Sequence, residues 1–289
     1  MMKLFKIFVK ESLIIIFLFC SLSSFAQENS VTDFKQKVYQ DFKAVIHSED
    51  LYEKTLEKLN FNSESKKILF KEHLKILFSN DQLVEKFWYE FSPFLKSPDS
   101  YNETDINHIV KDATLVGMSF IEDLAVKGML RLNDSDRLEY FIQTYEVTDL
   151  MDDRTCASFQ FGNEFIDPEV LRNFAVDYYN SLSDIAVRHK LALVRKAVFA
   201  EINNYPLPKV ISSNDLYLAE QAMVSALDNW AKATSEDKVH NFALVLTNPG
   251  AFSYADQCSV AKTFLEILIS IDGNYGDINR IRILQSLVH

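Results

Sequence analysis

The stretch from Leu216 to Trp230 reads Leu-Tyr-Leu-Ala-Glu-Gln-Ala-Met-Val-Ser-Ala-Leu-Asp-Asn-Trp. Its apolar positions Leu216, Ala219, Met223, Leu227 and Trp230 return at intervals of three and four. That interval marks one face of an α-helix, because a turn takes about 3.6 residues, whereas a strand would alternate. Val187, Leu191, Val194 and Val198 repeat the pattern, as do Ile106, Ile109, Val110, Ala113, Phe120 and Leu124. Strict alternation hardly appears. The periodicity therefore predicts an all-α fold, a bundle or irregular array of roughly ten to twelve helices.

Composition points the same way. Among 289 residues there are only six glycines and six prolines. Sandwiches, barrels and β-solenoids need many tight turns built from those residues, and a glycine-cradled nucleotide site needs them too. Apolar residues make up 48% and charged residues 25%, the balance of a globular chain.

The spacing predicts helices near 32–47, 49–60, 63–78, 81–91, 104–131, 135–150, 168–182, 184–203, 214–232, 236–246, 254–271 and 278–287. Asp167-Pro168-Glu169 combines an N-cap, a first-turn proline and an early acid. Thr234 with Asp237, and Ser253 with Asp256, stand at capping-box spacing. Asn60-Phe-Asn62, Asn203-Asn-Tyr-Pro206, Asn248-Pro-Gly250 and Gly273-Asn-Tyr-Gly276 read as stops. Ser92-Pro-Phe-Leu-Lys-Ser-Pro-Asp-Ser100 reads as a linker, separating an N-terminal helical subdomain, 27–100, from a main helical domain, 101–289. Within the latter, 104–165 and 214–271 share a weak similarity of the kind a duplication leaves. Met118, Asp123 and Lys127 match Met223, Asp228 and Lys232 in spacing, and Cys156 pairs with Cys258.

The first 26 residues have the character of a signal peptide. Lys3, Lys6 and Lys10 precede an apolar run from Leu13 to Cys20, and Ser24-Phe-Ala26 supplies small residues before Gln27. The run is shorter than the roughly 20 residues that a membrane span needs, and no later run replaces it. Cleavage before Gln27 would deliver residues 27–289 to the periplasm or outside the cell. Phe19, where lipidation wants a small residue before the cysteine, argues against an acylated Cys20.

The chain carries 41 acids and 30 bases, a net charge of −11. Such a chain has no electrostatic attraction for nucleic acid or an anionic membrane. Residues 101–160 hold 12 of the acids against five bases, and Asp149, Asp152 and Asp153 are their densest group. That group is a candidate interaction face for a basic partner, or a solvated face that keeps the protein soluble.

Two cysteines remain after export, Cys156 and Cys258, and an oxidising compartment favours joining them. Metal-ligand patterns are incomplete. Asp105, His108 and Asp112 share a helical face without a second histidine, Glu72-His73 lacks the second histidine of His-Glu-x-x-His, and His189 lies between Arg188 and Lys190. Asp272-Gly-Asn-Tyr-Gly-Asp277 has no glycine at the sixth position of a calcium loop and no closing glutamate, so it reads as a turn with Asp277 capping the next helix. Gly117-Met-Ser lacks the second glycine of a nucleophile elbow, and Glu64-Ser65 lacks the glycine-rich turns of helical cell-wall lytic enzymes. No catalytic, metal or cofactor-binding residue stands out, and no cofactor is implied. Aromatic clusters at Phe87-Trp-Tyr-Glu-Phe91 and at Phe159, Phe161 and Phe165 suit packing between helices, or an apolar pocket.

The expected role is that of an exported, non-enzymatic protein binding another protein or an apolar ligand. The alternatives are an inhibitor or immunity-type protein against a basic partner, and an enzyme whose carboxylates carry no recognisable spacing.

Overall fold

The computed structural model describes residues 36–92 and 120–288, apart from 37, 38, 41, 45, 58, 163 and 165. The expected signal peptide, the 93–100 part of the linker, and Asp105, His108 and Asp112 lie outside the described residues. The described residues are helical almost throughout, with no strand. The helices are α1 (Glu49–Glu57), α2 (Glu64–Phe78), α3 (Asp81–Phe91), α4 (Asp134–Leu150), α5 (Asp153–Phe161), α6 (Pro168–Ser181), α7 (Asp184–Ile202), α8 (Ser213–Lys232), α9 (Glu236–Thr247), α10 (Tyr254–Ser270) and α11 (Gly273–Leu287). Residues 120–129 are also helical and precede α4.

Local chemistry starts these helices. The side chains of Ser63, Asn80, Asn133, Asp152, Ser212 and Ser253 each accept a backbone N–H from the first turn that follows. Each satisfies a donor that has no partner within the helix. Ser253 makes the expected box, accepting from Asp256 N at 3.1 Å while its hydroxyl donates to the Asp256 carboxylate at 2.6 Å. The other expected box is displaced by one residue: Ser235, not Thr234, caps α9, and no side chain bonds there.

The chain gathers into two compact units, one of residues 123–174 and 196–289, the other reaching through residue 122 and including 175–195. In the first, α10 packs against α4, α5, α8, α9 and α11. Its buried residues Cys258, Val260, Ala261, Leu265, Ile267 and Leu268 cover more than one face, as a central helix requires. α8 lies along α11 and touches α10, burying Ala219 fully, while Met223, Leu227 and Trp230 stay half-buried. Gly128 permits a backbone crossing: a Cβ there would stand 1.8 Å from the Ala197 carbonyl oxygen of α7.

The second unit is rich in aromatic packing. Phe70 meets Phe61 at 4.6 Å and the edge of Tyr179 at 4.8 Å between ring centroids, and Phe42 stacks on Phe87 at 5.6 Å. Val187, Leu191 and Val194 bury the stripe expected of them, as does Val198 in the first unit. The asparagines that end α1 form a clasp. Asn62 N donates to Asn180 Oδ1 at 2.9 Å, and Asn180 Nδ2 returns a bond to the Asn60 carbonyl at 2.9 Å.

Two expectations about helix bounds are corrected. Residues 153–161 form a helix that periodicity did not reveal. The last helix begins at Gly273 rather than 278, so Asp277 is not a cap but a buried residue within α11. Gly276 explains the mistaken turn: a Cβ there would stand 1.8 Å from the Ile271 carbonyl oxygen, so glycine serves close approach within a helix.

Candidate functional site

Cys156 and Cys258 are joined, with sulfurs 1.97 Å and Cα atoms 5.4 Å apart. Both side chains are fully enclosed, where α5 meets α10. The bond is a staple between two helices rather than a reactive centre.

Asp149, Asp152 and Asp153 are exposed, and each has local work. Asp149 accepts from Lys262 at 2.9 Å. Asp152 caps α5, and hydrogen bonds from the hydroxyl and backbone N–H of Thr155 hold its carboxyl below the ordinary aspartate range. Asp153 stands in the first turn, where a negative charge suits the helix dipole.

Glu72 is exposed and lies 3.4 Å from Arg188, whereas His73 is buried in the middle of α2. Arg195 Nη1 approaches His73 Nδ1 at 2.9 Å. Guanidinium can only donate, so Nδ1 accepts and the ring proton sits on Nε2. Burial, then the neighbouring positive charge of Arg195, push the His73 pKa down to about 3, against a backbone hydrogen bond to Leu191. A neutral imidazole is thereby fixed. Exposed His189 is not part of this cluster. Among the described residues, no three His, Cys, Asp or Glu side chains are grouped to hold a metal ion.

The most elaborate polar network lies in the first unit. Arg137 makes a two-pronged pair with Asp277, Nε to Oδ1 at 2.6 Å and Nη2 to Oδ2 at 2.9 Å, with both side chains essentially out of solvent. The remaining Arg137 nitrogen donates to the carbonyls of Met129 and Leu132. Lys209 adds a third bond to Asp277 at 2.7 Å and another to Asn274 at 2.7 Å. Burial raises the Asp277 pKa, but the bonds from Arg137 and Lys209 outweigh it and hold the carboxyl below its usual range.

Lys209 belongs to the loop between α7 and α8, and that loop is the structure's least expected surface. Tyr205 is 74% exposed, Leu207 78% and Val210 95%. Polar anchors fix its backbone. Arg131 donates to Glu201 at 2.7 Å, Asn204 Oδ1 at 3.1 Å and the Pro206 carbonyl at 3.4 Å. Tyr205 N donates to the Ala200 carbonyl at 3.0 Å, and Asn204 takes a positive φ of 50°. Beside the loop a groove of about 420 Å³ is lined by Leu132, Phe199, Ala200, Tyr205 and Pro206 together with Asn133, Asn203 and the Lys196–Asp136 ion pair.

In sequence, Asn203–Pro206 reads only as a helix stop, and no pattern there marks Leu207, Val210 or Arg131. A signal was present in Tyr-Pro-Leu-Pro-Lys-Val-Ile, 205–211, which sets large apolar residues in a proline-marked loop where polar ones are usual. Among the described residues, no helix is long and apolar enough to cross a membrane. Compared with protein-family models, curated proteins and solved structures, the chain matches none.

Proposed function

We infer that the protein is an exported, non-enzymatic interaction protein that docks another protein through the loop 205–210. The observation that carries this is the exposure of Tyr205, Leu207 and Val210 on a backbone tied down by Arg131 and Lys209. Apolar side chains lose little by leaving water, and a loop already fixed in place gives up little conformational freedom on binding. Export is supported by the basic and apolar N-terminal sequence, and the Cys156–Cys258 bond is compatible with an oxidising compartment.

The test compares the wild-type chain with a Leu207→Asp/Val210→Asp double variant as baits in an extracytoplasmic fraction. The expected result is a protein retained by wild type and lost by the variant, with identical circular dichroism for both baits. Capture of the same proteins by both would remove the loop from the binding surface. Mass spectrometry of exported material should show a chain that starts at Gln27; retention of Met1 would remove the export assignment.

A further inference from the structure

We propose that the groove between α8 and α10 binds a small organic cation, an ammonium group carried on an apolar body. It shares no residue with the loop 205–210, and the proposal stands without the docking role of that loop. The groove holds about 650 Å³, within the range of small-ligand sites. Ala222, Ser225 and Ala226 on α8 are too small to close it, and buried Ile267 and Ile271 give it an apolar lining. Trp230 also lines it, half-buried, with its ring set against Phe242 at 4.7 Å between centroids.

Glu266 is the one charged residue in that lining. The Tyr145 hydroxyl of α4 donates to its Oε1 at 2.6 Å, which fixes the carboxylate in place. That bond, then burial and the charges of Glu266 and Asp149, push the Tyr145 pKa up to about 12, so the hydroxyl keeps its proton and stays a donor. The lysines of the two groove helices are engaged elsewhere, Lys232 with Asp228 at 2.6 Å and Lys262 with Asp149 at 2.9 Å. Among the described residues, no base pairs with Glu266. A carboxylate and an indole lining one apolar groove select an ammonium: the charge pairs with Glu266, and the face of Trp230 attracts a cation as well. Exposed Ser225, Asn229 and Ser270 supply acceptors for the remaining ammonium donors. An anion would be repelled by Glu266, and a neutral apolar molecule would cover the carboxylate without pairing it.

The test titrates the intact, disulfide-bonded chain at neutral pH with benzylamine, and with benzyl alcohol as its neutral counterpart, by isothermal titration calorimetry. Wild type is expected to bind the amine saturably and about tenfold or more tighter than the alcohol. Glu266→Gln, at an exposed position, should keep the circular dichroism of wild type and lose that preference. Ser225→Phe, also exposed, fills the groove and should weaken both probes while Glu266 stays in place. No saturable binding by wild type, equal binding of amine and alcohol, or a preference that survives Glu266→Gln would each overturn the proposal. Acetyl-lysine methylamide with a free side-chain amine offers the same ammonium as a protein would, and should bind more weakly than benzylamine. The reverse order would give the groove to a lysine of a protein partner and end the small-molecule assignment.

Discussion

Two basic side chains, one buried in the first unit and one half-buried in the second, are met by different chemistry. Arg137 is matched to the Asp277 carboxylate, charge against charge, and Lys209 completes the set. Arg195 is half-buried against the neutral His73 ring and, among the described residues, has no carboxylate within bonding distance. The first arrangement depends on a carboxyl remaining ionised. The second depends on an imidazole remaining unprotonated. Acid therefore attacks both, but through different groups and in different pH windows.

The largest effect should come from breaking the matched pair. Asp277→Asn leaves Arg137 buried without its counter-charge, a change that typically costs about 3–5 kcal/mol. Equilibrium unfolding in urea at neutral pH measures it. The sign with pH follows from the lowered Asp277 carboxyl: its contribution is complete above the unfolded value near 3.9 and fades as pH falls through the lower folded value. The wild-type advantage over Asp277→Asn should accordingly shrink only below about pH 4. An advantage that shrinks already near neutrality would show that another group controls the network.

Next in size is the staple of the first unit. Replacing Cys156 and Cys258 by alanine releases a closure of 102 positions, for which chain entropy allows roughly 4–5 kcal/mol and typical measurements give about 2–4. The pH dependence assigned to His73 should survive that change. If it disappeared together with the disulfide, the two regions would not be chemically independent.

The unmatched pair predicts a slope rather than a step. His73 has a folded pKa of about 3 against about 6.5 unfolded, so the unfolded chain binds the extra proton between those values. Stability should fall as pH drops through that window, at up to about 1.4 kcal/mol per pH unit from this group. His73→Gln keeps an acceptor for Arg195 and removes the titration, so its stability should vary less between pH 6 and pH 4 (about the middle of the window). Equal slopes for wild type and variant would mean that His73 does not control this window.

These two sites also show where sequence reasoning reaches and where it stops. Helical periodicity is a property of neighbouring residues, so Val187, Leu191 and Val194 revealed their buried face directly. α5 shows no helical period because every residue from Thr155 to Phe161 is buried, leaving no polar face to set one. Arg137 and Asp277 are 140 positions apart, and nothing local to either marks the other. In sequence Asp277 reads as the cap that follows a turn, since Gly273 and Gly276 look like turn residues when their contacts are unknown. Cys156 and Cys258 were legible at 102 positions because cysteine announces its chemistry and only two lie beyond the expected signal peptide. The asparagine clasp lies between these cases: Asn60 and Asn62 were visible as a helix stop, but not their bonds to Asn180.

The smallest effect on folding belongs to the loop that joins the matched network to the surface. Leu207 and Val210 are exposed and contribute little to the core, so Leu207→Asp/Val210→Asp should change unfolding stability by no more than about 0.5 kcal/mol. Lys209→Met is the informative counterpart, because it cuts the bonds to Asp277 and Asn274 while retaining every apolar side chain of the loop. Arg137 still pairs with Asp277 after that change, so the loss of stability should be well below that of Asp277→Asn. The loop 205–210, however, loses one of its two side-chain anchors. Amide hydrogen exchange should then quicken in that loop and leave α4 and α11 unchanged. If exchange quickened equally in α4 and α11, Lys209 would belong to the stability of the core rather than to the presentation of the loop. If exchange did not change in the loop, Arg131 and the Tyr205 N–H would account for its fixed backbone, and the link between the buried network and the apolar surface would be broken.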